Sequence, residues 1–150
     1  MAEARELAGE WQEVLARYDL GPAEAVGQGG GTASPKMIVR TPGGAYLVRQ
    51  RRPQSSDDDV VAFDHAVIAA VAAAGLPTAE PLANRRGSTW VRLGAHAYEV
   101  SPFISGLSPY TPNNGRQLES AARSLGQFHH ATTELTPAGR KPWPREHQSQ

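Results

Sequence analysis

Residues 27–49 read GQGGGTASPKMIVRTPGGAYLVR. Three consecutive glycines, Gly29 to Gly31, lead into Lys36–Thr41, where Met37 and Val39 alternate as a half-buried strand requires. Thr41-Pro42-Gly43-Gly44 is hairpin-turn chemistry, because proline presets φ and glycine accepts positive φ. Residues 45–51 then read as a further strand, with Tyr46 and Val48 on one side and Arg49 on the other. A glycine run lets backbone N–H groups approach phosphate oxygens with no Cβ in the way. A plain flexible turn explains the same glycines equally well when they stand alone.

Outward from this stretch the chain alternates in a definite order. Residues 3–18 carry Leu7, Trp11, Val14, Leu15 and Tyr18 at spacings of three and four, the stripe of an amphipathic helix, and Gly21-Pro22 stops it. Residues 24–28 form a short first strand. After the two strands already described, Asp57-Asp58-Asp59 opens a helix over 58–74, since acids favour the positive end of the helix dipole, and Gly75 is its expected C′ residue. Strands follow at 88–93 and 96–104, then a loop at 105–115, then a helix over 116–134 with Leu118, Ala122, Leu125 and Phe128 on one face. The polar, proline-rich residues 136–150 read as a disordered tail after a domain spanning 1–135. Helix, three strands, helix, two strands, helix is an α+β pattern with about five antiparallel strands and one helix inserted after the third.

Three glycine-rich templates compete for this order. A Walker loop needs Gly-Lys then Ser or Thr opening a helix, and here a strand follows. A dinucleotide fingerprint needs G-x-G-x-x-G between a strand and a helix, and Thr32 breaks it. The kinase arrangement places a flexible turn between two antiparallel strands and a cation on the third strand, and this chain fits it.

Gly30-Gly31-Thr32-Ala33-Ser34 followed by Tyr46-Leu47-Val48-Arg49 resembles the N-terminal lobe of the aminoglycoside phosphotransferase and choline kinase-like family. That family reads Gly-Gly-x-x-Asn, then two strands ending Leu-Arg or Leu-Lys, with Ser34 here in the asparagine place. Phe63-Asp64-His65 and Gly75-Leu76-Pro77 match its helix with a glutamate and the turn after it, Asp64 falling on the glutamate. Residues 98–106, YEVSPFISG, resemble its strand and hinge, and Leu125-Gly126 with His129 or His130 resembles its last helix. The likeness covers about residues 10–131.

The resemblance implies a protein-kinase-like N-lobe that binds ATP. Gly30, Gly31, Thr32 and Ser34 would form the flap over the phosphates, and Arg49 would hold α- and β-phosphate oxygens. Asp64 would pair with Arg49, although aspartate is one methylene shorter than the family's glutamate. Backbone groups from Ser101 to Phe103 would meet the adenine edge. Taken by residue chemistry alone, Arg49 also suits an ordinary strand face, and Asp64 a solvated helix.

The resemblance implies a gap as well. Family members carry a catalytic aspartate in a His-Gly-Asp-like loop and a later magnesium-binding aspartate, both in a second lobe. This sequence has no His-Gly-Asp, and beyond Glu119 its only acids are Glu134 and Glu146. The expectation is a nucleotide lobe that is inactive alone, with Mg2+ engaged only alongside a second lobe. The catalytic lobe could act in trans, or the chain could self-associate through the hinge face. The alternative is a non-catalytic nucleotide- or protein-binding module. In a lone lobe Phe103, Ile104, Leu107 and Tyr110 should be exposed.

Composition narrows the partners. Formal net charge is zero and the pI is near 7.0, which argues against nucleic acid as the main partner. Cysteine is absent and no signal-like or membrane-length apolar run is visible, which fits a cytoplasmic protein. His129-His130 does not read as a metal pair, because neighbours on a helix point about 100° apart, and one packed and one exposed ring is expected. Trp90, Tyr98 and Phe103 read as core residues of strands.

Overall fold

The computed structural model describes residues 9–30, 34–137 and 139–141. Its elements are α1 (Gly9–Leu15), β1 (Glu24–Gln28), β2 (Lys36–Thr41), β3 (Gly44–Gln50), a 3-10 turn at Pro53–Ser55, α2 (Asp58–Ala73), β4 (Val91–Leu93), β5 (His96–Pro102) and α3 (Gly115–Thr132). The strands form one antiparallel sheet in the order β1-β2-β3-β5-β4. The expected α+β architecture is therefore present, with α2 following the third strand.

Side-chain alternation gives the sheet two chemically different faces. Val39, Val48, Tyr98 and Val100 point to one face and pack under Val14, Leu15 and Tyr18 of the α1 segment, forming the main core. Gln50 Nε2 donates to Tyr98 Oη at 2.6 Å on this same face, and Tyr98 Oη donates to Glu10 of α1. Trp11 meets the Tyr98 ring edge-on at 5.7 Å between centroids. The opposite face carries Lys36, Leu47, Arg49, Glu99 and Ser101, the residues that alternate with the core set. Helix α2 lies over this polar face and is tied to it by ion pairs, while its own Val60, Val61 and Val71 are buried.

Local signals place the ends of α2 where the sequence puts them. The Asp57 carboxylate caps it by accepting from Asp59 N at 2.9 Å, so the acidic triplet serves as a helix start. At the other end Gly75 takes φ +85°, Gly75 N donates to Ala72 O at 2.9 Å, and Leu76 N donates to Val71 O at 3.2 Å. These two bonds are a Schellman closure, which needs a left-handed residue at this position. The β2–β3 turn is the expected hairpin, with Thr41 paired to Gly44.

Several expectations are corrected. Strand β4 begins at Val91, not residue 88, because residues 84–90 form a loop closed on the Asn84 side chain. Strand β5 ends at Pro102, so Phe103 leaves the sheet and is 38% exposed rather than packed. Tyr98 is fully buried, and Trp90 packs its ring edge-on to His65 at 5.8 Å. His129 and His130 are both exposed, so the expected packed ring is not found. Leu7 lies outside the described residues. So do residues 138 and 142–150 of the expected tail.

Candidate nucleotide site

The polar face of the sheet brings four segments together. Gly29 continues β1, its N–H donating to Lys36 O at 3.1 Å, so it sits beside Lys36 in register. A Cβ on Gly29 would fall 2.6 Å from Lys36 Cβ and 3.0 Å from Leu47 Cδ1. Glycine there lets the chain cross close over β2 and β3. Gly30 is exposed, with nothing within 4 Å of where its Cβ would be, and its carbonyl accepts from Lys36 Nζ at 3.1 Å. Gly31 and Thr32 lie outside the described residues, and Ser34 is half-buried just ahead of β2.

Arg49 lies opposite Lys36 on β2 and opposite Glu99 on β5. Its side chain is on the face of Gly29 and Lys36, is 37% exposed, and pairs with Glu99 Oε1. Ser101 lies on the same face, paired with Leu47. Phe103 follows it, and its N–H donates to Ala45 O at 2.9 Å. Gly29, Gly30, Arg49 and Ser101 are thus brought onto one face of the sheet, with Phe103 at its margin.

The expected Arg49–Asp64 pair is not formed. Glu99 stands directly across from Arg49 in an antiparallel pair, where Cβ atoms approach to about 5 Å, so Arg49 takes that carboxylate. Asp64 pairs instead with Arg51 through Oδ2, and its Oδ1 accepts from Lys141 Nζ at 2.8 Å. The short aspartate reaches the arginine one position pair further along the strand, nearer the start of α2.

Arg51 is the hub of this network. It is 6% exposed, and its Nε donates to Ser55 O at 2.7 Å while Nη1 donates to Glu99 Oε2 at 3.2 Å. His65 of α2 adds a second arm, with Nε2 at 2.8 Å from Glu99 Oε2 and Nδ1 at 2.7 Å from Thr89 Oγ1. A carboxylate only accepts, so Nε2 carries the proton, and Nδ1 shares its hydrogen bond with the Thr89 hydroxyl, which can donate or accept. Burial pushes the Glu99 carboxyl up. The His65 hydrogen bond and the charges of Arg49 and Arg51 outweigh it and hold the group below the usual glutamate value. For Asp64, burial likewise pushes up, and the hydrogen bonds from Lys141 and Arg51 bring it below the usual aspartate value.

Lys36, Arg51, His65 and Glu99 were not singled out from the sequence. Strand alternation carries a signal for three of them: Glu99 interrupts the buried Tyr98 and Val100, Arg51 alternates in step with Arg49, and Lys36 stands across the hairpin from Arg49. Their partners depend on the β3–β5 register, which no local pattern specifies. Among the described residues, no group of three or more His, Cys, Asp or Glu side chains could hold a metal ion.

A family model described as the phosphotransferase enzyme family matches residues 24–150. The chain belongs to the phosphotransferase enzyme family. Solved structures agree on the fold of this phosphotransferase-family chain. Amicoumacin kinase hAmiN, solved with AMP-PNP, Ca2+ and Ami, superposes with a TM-score of 0.76 at 14% identity, over 93% of this chain and 45% of its own. Spectinomycin phosphotransferase APH(9)-Ia, solved with ADP and spectinomycin, gives 0.60 at 16% identity, covering 85% and 39%. An aminoglycoside phosphotransferase from Alicyclobacillus acidocaldarius gives 0.57 at 19% identity, covering 87% and 36%. A comparison with curated proteins finds no match. The chain spans less than half the length of these solved structures, and its sheet and helices have the architecture of a kinase-like N-lobe.

Proposed function

We propose that this chain is the nucleotide-binding half of an ATP-dependent phosphotransferase whose acceptor is a hydroxyl group of a small molecule. The observation that carries the reading is the shared face of Gly29, Gly30, Lys36, Arg49 and Ser101, with Arg49 partly open to solvent. The solved relatives bound to AMP-PNP or ADP support it.

The residues present fit a nucleoside triphosphate. The crossing at Gly29 has no room for a side chain, while Gly30 is open, as a backbone cradle for phosphate oxygens requires. Gly30 and Ser34 belong to the flap, whose Gly31 and Thr32 lie outside the described residues, and Arg49 takes phosphate oxygens through its guanidinium fork. Glu99 holds Arg49 in place. Asp64 acts one step removed, orienting Arg51, which in turn positions Glu99. Backbone groups of Ser101 and Phe103 meet the base. When bound, magnesium supplies charge neutralisation at the phosphates. The base that accepts the hydroxyl proton and the metal ligands belong to a second half, so this chain does not turn over alone.

A second reading rests on the exposed apolar side chains. Phe103, Ile104, Leu107 and Tyr110 in the hinge segment are 38%, 44%, 76% and 59% exposed, and Leu118, Leu125 and Phe128 line one side of α3. This surface suits a helical catalytic half acting in trans, or a second copy in a non-catalytic module.

Thermal unfolding of the chain with and without Mg-ATP tests the first reading. ATP at a hundredfold excess over its Kd adds about 2.7 kcal/mol of stability, and Arg49→Ala should abolish the gain. Unchanged melting at millimolar ATP, together with a stable dimer in sedimentation, would favour the module.

A further inference from the structure

A cleft of about 480 Å3 opens between the C-terminal end of α1 and the loop entering β4. It lies at the β4 edge of the sheet, with β5, β3 and β2 separating it from β1 and the glycine flap. Its lining contains Arg17, Arg85, Arg86 and Arg92, with Asn84 and Trp90, and no acidic residue.

The wall carrying these arginines is built, not a loose surface loop. Asn84 Oδ1 accepts from Arg86 N at 2.9 Å and from Ser88 N at 3.2 Å, and Asn84 Nδ2 donates to Trp90 O at 3.0 Å. Arg85 N donates to Arg17 O at 2.9 Å and Arg85 Nη1 to Ala16 O at 3.2 Å, which fastens the loop to α1. Three of the four guanidinium groups have a carboxylate partner outside the lining. Glu13 meets Arg17 at 3.0 Å, Asp19 meets Arg85 at 3.9 Å, and Asp58 meets Arg92. The Glu13 and Asp19 carboxylates are 54% and 96% exposed, so those two pairs are weak and an incoming anion can compete with them, whereas Arg92 also donates to Ser56 O and its hydrogen bond holds the Asp58 carboxyl below the usual aspartate value. The Arg86 side chain makes no hydrogen bond or ion pair among the described residues.

We infer that this cleft binds a small phosphorylated molecule at a site separate from the nucleotide site. Guanidinium forks match phosphate oxygens in parallel pairs. A terminal phosphate presents three oxygens in different directions, enough for several converging arginines, whereas a single carboxylate presents two in one plane. Trp90 and Val91 give the ligand's uncharged body an apolar wall, and the volume falls within the range of small-molecule sites, about 300–1,000 Å3.

Inorganic pyrophosphate serves as the probe, titrated calorimetrically into the whole chain without magnesium, at ionic strength held constant with sodium chloride. The titration is made in an Arg49→Ala background, which removes the phosphate-binding cation of the nucleotide site; saturable binding is expected there, weakened roughly tenfold or more when Arg86→Ala is added. The Arg86 side chain is exposed and makes no hydrogen bond or ion pair among the described residues, so truncating it leaves the fold intact. Absence of binding in that background, or equal binding once Arg86→Ala is added, would overturn the site. Citrate binding as tightly as pyrophosphate would overturn the assignment to phosphate.

Discussion

At the scale of single residues, Glu99 decides more than any other side chain. It is 7% exposed and holds Arg49, Arg51 and His65 at once. Removing one partner of a buried ion pair leaves uncompensated charge, at a cost of about 3–5 kcal/mol, so Glu99→Ala should lower the unfolding free energy measured in urea by that much. The same carboxylate sets an acid dependence. Its pKa is depressed in the folded state, so its contribution is complete above the unfolded value of about 4.3 and is lost as pH falls through the lower folded value. The stability gap between wild type and Glu99→Gln should therefore narrow between pH 7 and pH 3; a gap that stays constant would show that folding leaves the Glu99 pKa unchanged. Tyr18 makes the opposite case. Its hydroxyl is buried with no hydrogen-bond partner among the described residues, and burial, then the charge of Glu99, pushes its pKa upward. An unsatisfied buried hydroxyl costs about 1–3 kcal/mol, so Tyr18→Phe should raise the urea midpoint without altering the m-value.

At the scale of elements, the hairpin and the glycine crossing set the geometry. Gly29→Ala would force its new methyl against the Lys36 Cβ and Leu47, at an overpacking cost of about 1–3 kcal/mol. It should lower stability and ATP affinity together, whereas Gly30→Ala, which meets open space, should leave stability nearly unchanged. Elements with strong local signals were legible in the sequence. Strands β1 and β2 matched residue for residue, and α2 matched from Asp58 with its Gly75 closure, because turn, cap and alternation chemistry all act within a few residues. The partners of Arg49 and Asp64 were not legible. They follow from β3 lying beside β5 in a particular register, a contact across some fifty positions that no local rule contains. The start of β4 was misplaced for a related reason: Asn84 closes a loop with its own side chain, and a run of residues that alternates like a strand is spent on that turn.

At the scale of the whole molecule, the two faces of the sheet divide the labour. The α1 face is an ordinary apolar core that supplies stability, and the α2 face is a charged layer that leaves Arg49 oriented yet partly exposed. Helix α3 has no buried residue, and Leu118, Leu125 and Phe128 are exposed. Leu125→Glu should therefore change stability by no more than about 0.5 kcal/mol, while reducing any association through that helix in sedimentation. No helix among the described residues is long and apolar enough to cross a membrane. The central claim is that the glycine flap, Arg49 and the hinge converge on one triphosphate. Amide chemical shifts recorded while Mg-ATP is added to the isotope-labelled chain test it most directly. The shifts of Gly29, Gly30, Arg49 and Ser101 to Phe103 should move together along one saturation curve, and Arg49→Ala should erase the response. Saturable shifts confined to other residues, or none at millimolar ATP, would contradict it.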